Sequence, residues 1–154
     1  MKKLLLVLFC VTYSLAKSQT SCVYKTDTLL LNKKEVISYV ECSIKKNYLF
    51  QFFTHNSKNY MRIVVKDNLG FDKTSSLLLY CGKKQIYIKS IKLQSIDRSS
   101  AFFMVELNPN YIATIKQLGI SEMIFDETSS FSIPKSDSEN IKKTLDCFVN
   151  KTAE

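Results

Sequence analysis

Tyr48-Leu49-Phe50-Gln51-Phe52-Phe53-Thr54, His55-Asn56-Ser57-Lys58-Asn59, Tyr60-Met61-Arg62-Ile63-Val64-Val65-Lys66: the fold is decided by how these nineteen residues are read. Two runs rich in aromatic and β-branched side chains flank five residues of turn chemistry. Aromatic and branched side chains suit a pleated, half-buried surface, whereas Asn and Ser tolerate a tight reversal. The stretch therefore reads as a β-hairpin, with Met61, Ile63 and Val65 sharing one face.

A second hairpin follows. Leu77 to Cys81 and Gln85 to Lys89 flank Gly82-Lys83-Lys84, in which Gly82 supplies the positive φ that a tight turn needs. Apolar positions continue at Ile91, Leu93 and Ile96. Ala101 to Leu107 is apolar on both faces for part of its length, the mark of a central strand. Upstream, Val36 to Ser43 reads as a strand. The chain from the cleavage region to Lys34 is polar apart from Leu29-Leu30-Leu31.

Beyond Leu107 the period changes from two to about 3.6. Asn108 is placed to cap a helix whose first residue is Pro109. Tyr111, Ile112, Ile115 and Leu118 follow at helical spacing, and Gly119 closes it. Ser121 to Phe125 and the pair Phe131 and Ile133 read as two short strands, the second stopped by Pro134. Ser136 or Asp137 caps a last helix with an apolar stripe of Ile141, Leu145, Phe148 and Val149. Strands dominate, hairpins recur and no βαβ alternation appears. The expectation is an α+β domain: a mainly antiparallel sheet, curled or barrel-like, with two short helices including a C-terminal one.

The N-terminus reads as a targeting segment. Met1-Lys2-Lys3 is basic, Leu4 to Leu15 is largely apolar, and Ser14-Leu15-Ala16-Lys17-Ser18 offers small residues for cleavage before Lys17 or Gln19. This order describes a cleavable secretory signal over residues 1–18, leaving one domain over 19–154. The apolar run is well short of the roughly 20 residues that span a bilayer, so no transmembrane helix is expected in the mature chain. Cys10, preceded by bulky Phe9, makes a poor lipidation site. An exported protein would be periplasmic or extracellular.

Export changes the meaning of the charge and of the cysteines. The formal charge is +8, but Lys2, Lys3 and Lys17 leave with the signal, so the mature charge is +5. Only Arg62 and Arg98 are arginines, and Arg is the residue whose planar fork reads bases and clamps phosphates. Nucleic acid is not an expected partner. Cys22, Cys42, Cys81 and Cys147 remain, an even number that favours two disulfides in an oxidising compartment. Three pairings are possible; the preferred one is Cys22–Cys147 with Cys42–Cys81.

Residues that could carry chemistry are sparse. His55 is the only histidine and falls in a turn, so no two-His metal site exists. Asp67, Asp72 and Asp97 lie in or near loops, and Asp126-Glu127 are adjacent rather than facing. There is no Gly-x-Ser-x-Gly, no phosphate loop and no His-Glu-x-x-His. No catalytic, cofactor-binding or metal-binding residue is assigned, and no cofactor is expected. An enzyme would need one of those aspartates to converge with His55 or a Tyr in a pocket.

The signal, Cys22-Val23-Tyr24-Lys25-Thr26-Asp27, Lys33-Lys34-Glu35-Val36, the turn Gly82-Lys83-Lys84 and the closing Ile133-Pro134-Lys135-Ser136-Asp137 together resemble small exported proteins of unknown function common in Bacteroidetes. The resemblance implies a compartment and no activity. The functional expectation is a non-enzymatic binding or interaction module. It would meet an unknown protein or envelope component through one sheet face or the loops around residues 67–76 and 94–100. An envelope-associated hydrolase and a structural component of a surface assembly are the alternatives.

Overall fold

The computed structural model describes residues 23–28, 36–44, 48–65, 74–95, 101–127 and 129–151. The expected signal, residues 1–18, lies outside them, as do Asp67, Asp72 and Asp97. Nine strands are described: β1 (Tyr24–Thr28), β2 (Val36–Ile44), β3 (Tyr48–His55), β4 (Lys58–Val65), β5 (Thr74–Cys81), β6 (Lys84–Ser95), β7 (Ala101–Glu106), β8 (Glu122–Phe125) and β9 (Ser129–Ser132). Two helices join them, α1 (Pro109–Leu118) and α2 (Lys135–Lys151). Every pairing is antiparallel, and the order across the sheet is β1-β2-β3-β4-β7-β6-β5-β8-β9. The α+β expectation stands.

The central hairpin is tighter than its sequence suggested. His55 pairs with Lys58, so the turn is only Asn56-Ser57, with φ of 48° and 61°. Two successive positive φ values are the twist a two-residue hairpin needs. Likewise Cys81 pairs with Lys84, and Gly82 takes φ of 60° at the first turn position.

β6 runs unbroken where the sequence suggested a pause after Lys89. Its first part pairs with β5 and its end with β7, so one long strand carries the sheet round a corner. β5 accommodates this with an irregularity between Ser75 and Leu77. The carbonyl of Ser76 accepts from the Asp126 amide, and Asp126 Oδ1 accepts from the Ser76 amide at 2.9 Å. Asp126-Glu127 are thus the β8–β9 turn, both at positive φ, and Asp126 ties that turn to the β5 bulge.

The curl brings distant strands together. Phe103 of β7 stacks on Phe125 of β8 at 4.8 Å, and Tyr48 of β3 meets Phe131 of β9 edge-on at 5.1 Å. The main core fills the inside of this curve with Phe50, Phe52, Met61, Ile63, Leu77, Leu79, Phe103 and Phe125, all fully buried. Helix α2 packs on β2 and β3 through Ile141, Leu145 and Phe148, whose spacing of four and three residues lines one face. Phe52 stacks on Phe148 at 6.3 Å.

Helix α1 begins as expected. Asn108 Oδ1 accepts from the Tyr111 amide and Pro109 takes the first helical position. It ends at Gly119, where φ is 71° and an added Cβ would lie 2.2 Å from Ser138 Oγ. Glycine is required here both by the backbone and by the close approach of α2. Helix α2 starts at Lys135, just past Pro134, and the Ser138 amide donates to the Pro134 carbonyl. No helix among the described residues is long and apolar enough to cross a membrane.

β1 is a strand where the sequence read only as polar chain. Its pairing with β2 is supplemented by Tyr24, whose hydroxyl donates to the Cys147 carbonyl at 2.9 Å. Lys151 Nζ sits 3.7 Å above the centre of the Tyr24 ring.

Candidate functional site

A sheet covered by helices on one face usually shows water a polar second face. This one does not. On the face away from the main core, Ile37, Tyr39 and Phe53 form a second buried cluster, with Tyr60 and Met104 half-buried against it. Phe53 stacks on Tyr60 at 5.6 Å. Strand alternation puts these residues here: β3 sends Phe50 and Phe52 inward and Gln51 and Phe53 outward.

A polar file crosses this apolar surface. Arg62 is 3% exposed on β4, and its guanidinium carbon lies 5.7 Å from the Tyr39 ring, 6.0 Å from Phe53 and 5.7 Å from Phe102. These are cation–π distances. Arg62 Nε donates to Gln51 Oε1, and Gln51 Nε2 donates to Glu41 Oε2 at 2.8 Å. Glu41 is ion-paired with Lys25. The register makes the file: Met104, Arg62, Gln51 and Glu41 lie directly opposite one another across β7, β4, β3 and β2.

The electrostatics are graded along it. Arg62 and Gln51 are buried, Glu41 is partly exposed and Lys25 is open to solvent. The hydrogen bond to Glu41 holds the Lys25 ammonium above its usual pKa. Among the described residues, no buried side-chain nitrogen or oxygen lacks a partner. Burying a guanidinium in low dielectric is tolerated only under that condition.

The residues singled out in the sequence are placed elsewhere. His55 ends β3 and contacts Asn56 at 3.0 Å, with its ring 6.4 Å from Tyr60. Asp126 serves the β8–β9 turn. Phe125 stacks on Phe103, which pairs with Ile63, whereas His55 pairs with Lys58. Five residues of strand at about 3.3 Å each, roughly 16 Å, separate the two positions. Asp126 and His55 are not brought together. Among the described residues, no group of three His, Cys, Asp or Glu side chains could hold a metal. Tyr48, Phe50 and Phe52 belong to the main core rather than to an outward patch.

The cysteines divide differently from the preferred pairing. Cys42 and Cys81 are free thiols, which overturns the Cys42–Cys81 disulfide. Strands β2 and β5 are not neighbours, for β3, β4, β7 and β6 lie between them in the sheet order. A disulfide needs Cα atoms within about 7 Å. Burial pushes both thiols up to about 11, with a hydrogen bond to Thr144 partly opposing the shift at Cys42. Cys147 lies on α2, and Cys22 lies outside the described residues.

Sequence reasoning missed Arg62, Gln51 and Glu41 as a set. A signal was present: Gln51 and Arg62 each interrupt an apolar run and stand equally far from the Asn56-Ser57 turn. Recognising it required the two-residue turn. Compared with known protein families, characterised proteins and solved structures, the chain matches none.

Proposed function

We propose that this chain is an exported, non-enzymatic interaction module that meets a partner protein through the second face of its sheet. One observation carries the reading: a second cluster of Tyr39, Phe53, Tyr60 and Met104, with Arg62 among its rings, lies away from the helix-covered core. Ile37, Tyr39, Phe53 and Arg62 are buried within the chain, so the surface offered on this face is that of the side chains packed against them. Tyr, Phe, Met and Arg are also the residues enriched where proteins meet. Half-buried Tyr60 and Met104 form its accessible rim.

Site-specific photo-crosslinking in the native host tests this. A photoreactive phenylalanine at Tyr60 or Met104 is expected to capture the same partner protein. The same group at Lys83, exposed on the β5–β6 turn, should not. Equal capture from all three positions, or none from Tyr60 and Met104, would overturn the face assignment. Export is checked separately: fractionation and intact mass should show a protein outside the cytoplasm that has lost residues 1–18.

A further inference from the structure

We infer that the β5–β6 hairpin is a docking surface for an anionic lipid bilayer, with Tyr87 seated at headgroup depth and Lys83, Lys84 and Lys89 meeting the phosphates around it. The sequence sets the charge. Residues 74–95 hold four lysines, Lys83, Lys84, Lys89 and Lys92, and no Asp or Glu. The register sets the apolar part. On β6, Ile86 is buried and Tyr87 is 44% exposed, so alternation turns Tyr87 away from the main core. Leu78 lies directly opposite Tyr87 on β5, and Ile124 lies opposite Leu78 on β8, both half-buried. Half-buried Tyr80 shares the side of Leu78. The apolar row crosses three strands and is separate from the second face, whose residues lie on β2, β3, β4 and β7.

Four lysines elsewhere, Lys25, Lys58, Lys116 and Lys142, each pair with a carboxylate. Among the described residues, no ion pair engages Lys83, Lys84 or Lys89, and all three are exposed. Lys89 Nζ lies 6.0 Å from the centre of the Tyr87 ring. Glu122 and Asp126, the acids on or beside β8, stand two strands from β6 and are held by Ser130 Oγ and the Ser76 amide.

Lysine chemistry chooses the occupant. An ammonium is a compact, strongly hydrated point charge on a flexible stem, suited to a diffuse anionic surface. Clamping a single carboxylate or phosphate calls instead for the planar fork of Arg. Tyr has an apolar body and a polar tip, and it settles where hydrocarbon meets headgroups. Leu78 and Ile124 add aliphatic surface beside it, which a soluble acidic peptide would leave unused. Each lysine brought near an anionic leaflet strengthens binding about fivefold.

The chain has no Trp, so Tyr87→Trp reports on this site alone. The chain purified from its host is titrated with phosphatidylcholine vesicles carrying brominated acyl chains, with and without phosphatidylglycerol. Emission of the Tyr87→Trp variant should be quenched only where phosphatidylglycerol is present; that of Tyr60→Trp, on the second face, should not be. In vesicle flotation, the triple variant Lys83→Gln, Lys84→Gln, Lys89→Gln should bind about a hundredfold more weakly. The triple variant Lys58→Gln, Lys135→Gln, Lys143→Gln removes the same charge elsewhere and should stay within about twofold of wild type. Equal losses from the two triples would reduce the effect to net charge and overturn the site, as would an unquenched Tyr87→Trp. Displacement from vesicles by soluble polyglutamate, with Tyr87→Ser binding unchanged, would make the occupant an acidic polypeptide and overturn the lipid assignment.

Discussion

On the helix-covered side of the sheet, Phe50, Met61, Ile63 and Phe103 belong to one core with Ile141, Leu145 and Phe148, with no charge among them. On the other side, the same strands present Phe53, Tyr39 and Phe102, yet Arg62, Gln51 and Glu41 pass through them in single file. Both sides bury aromatic rings. The first is held by volume and area, which many apolar sequences could supply. The second is held by hydrogen-bond geometry, which accepts only one register, because a slip of one residue would point Arg62 into the main core. The comparison teaches that apolar packing makes this sheet stable and the polar file makes it specific.

Breaking the first side should have the largest effect. Phe103→Ala removes a fully buried ring stacked on Phe125 and should lower unfolding free energy by about 3–5 kcal/mol in urea titration. A smaller loss would mean that the curl closes again around the cavity.

The second side should lose less, and in a different pattern. Arg62→Met deprives Gln51 Oε1 of its donor and should destabilise by about 1–3 kcal/mol. Adding Gln51→Leu should recover part of that loss, because two apolar partners leave less polarity stranded on this face. Strict additivity in a double-mutant cycle would show that the file does not act as a unit.

A pH titration separates the sides further, since both free thiols face the main core. Folding raises Cys42 and Cys81 from the ordinary 9.0 to about 11. The folded state therefore holds protons that the unfolded chain gives up, so this contribution is complete below pH 9 and lost as pH rises toward 11. Urea midpoints should fall across that window in the wild type and fall less in the Cys42→Ala, Cys81→Ala variant. An equal fall in both would assign the loss to other groups.

The smallest effect is expected at the rim. Lys58 pairs with Glu106 in the open, and Lys58→Ala should leave the urea midpoint unchanged within error. A clear loss would make this exposed pair part of the face's structure.

Much of the fold was legible because its signals are local. Asn108-Pro109 and Gly119 bracketed α1, Pro134 stopped β9 before α2, and the alternation through Phe50 and Met61 announced the hairpin. β1 was not legible: Lys25, Thr26 and Asp27 have no apolar pattern, and what makes them a strand is the edge of β2 and the dock of Tyr24 on α2. The unbroken β6 was missed for a related reason, since two different neighbours pair with its two parts. The candidate site was the least legible. Gln51 and Arg62 look like ordinary solvent-facing breaks in strands until the register sets one against the other.

By itself, the sequence determined the class of the protein: antiparallel strands from period-two runs, two helices from caps and stops, and a segment that reads as an export signal. Those features depend on neighbours a few residues away. Only the tertiary structure decided which strands lie side by side, that Cys42 and Cys81 stay thiols, and that a cation is caged on the sheet's second face. Each of these turns on contacts between residues distant in the chain, and an antiparallel register is fixed by the whole sheet rather than by any one strand.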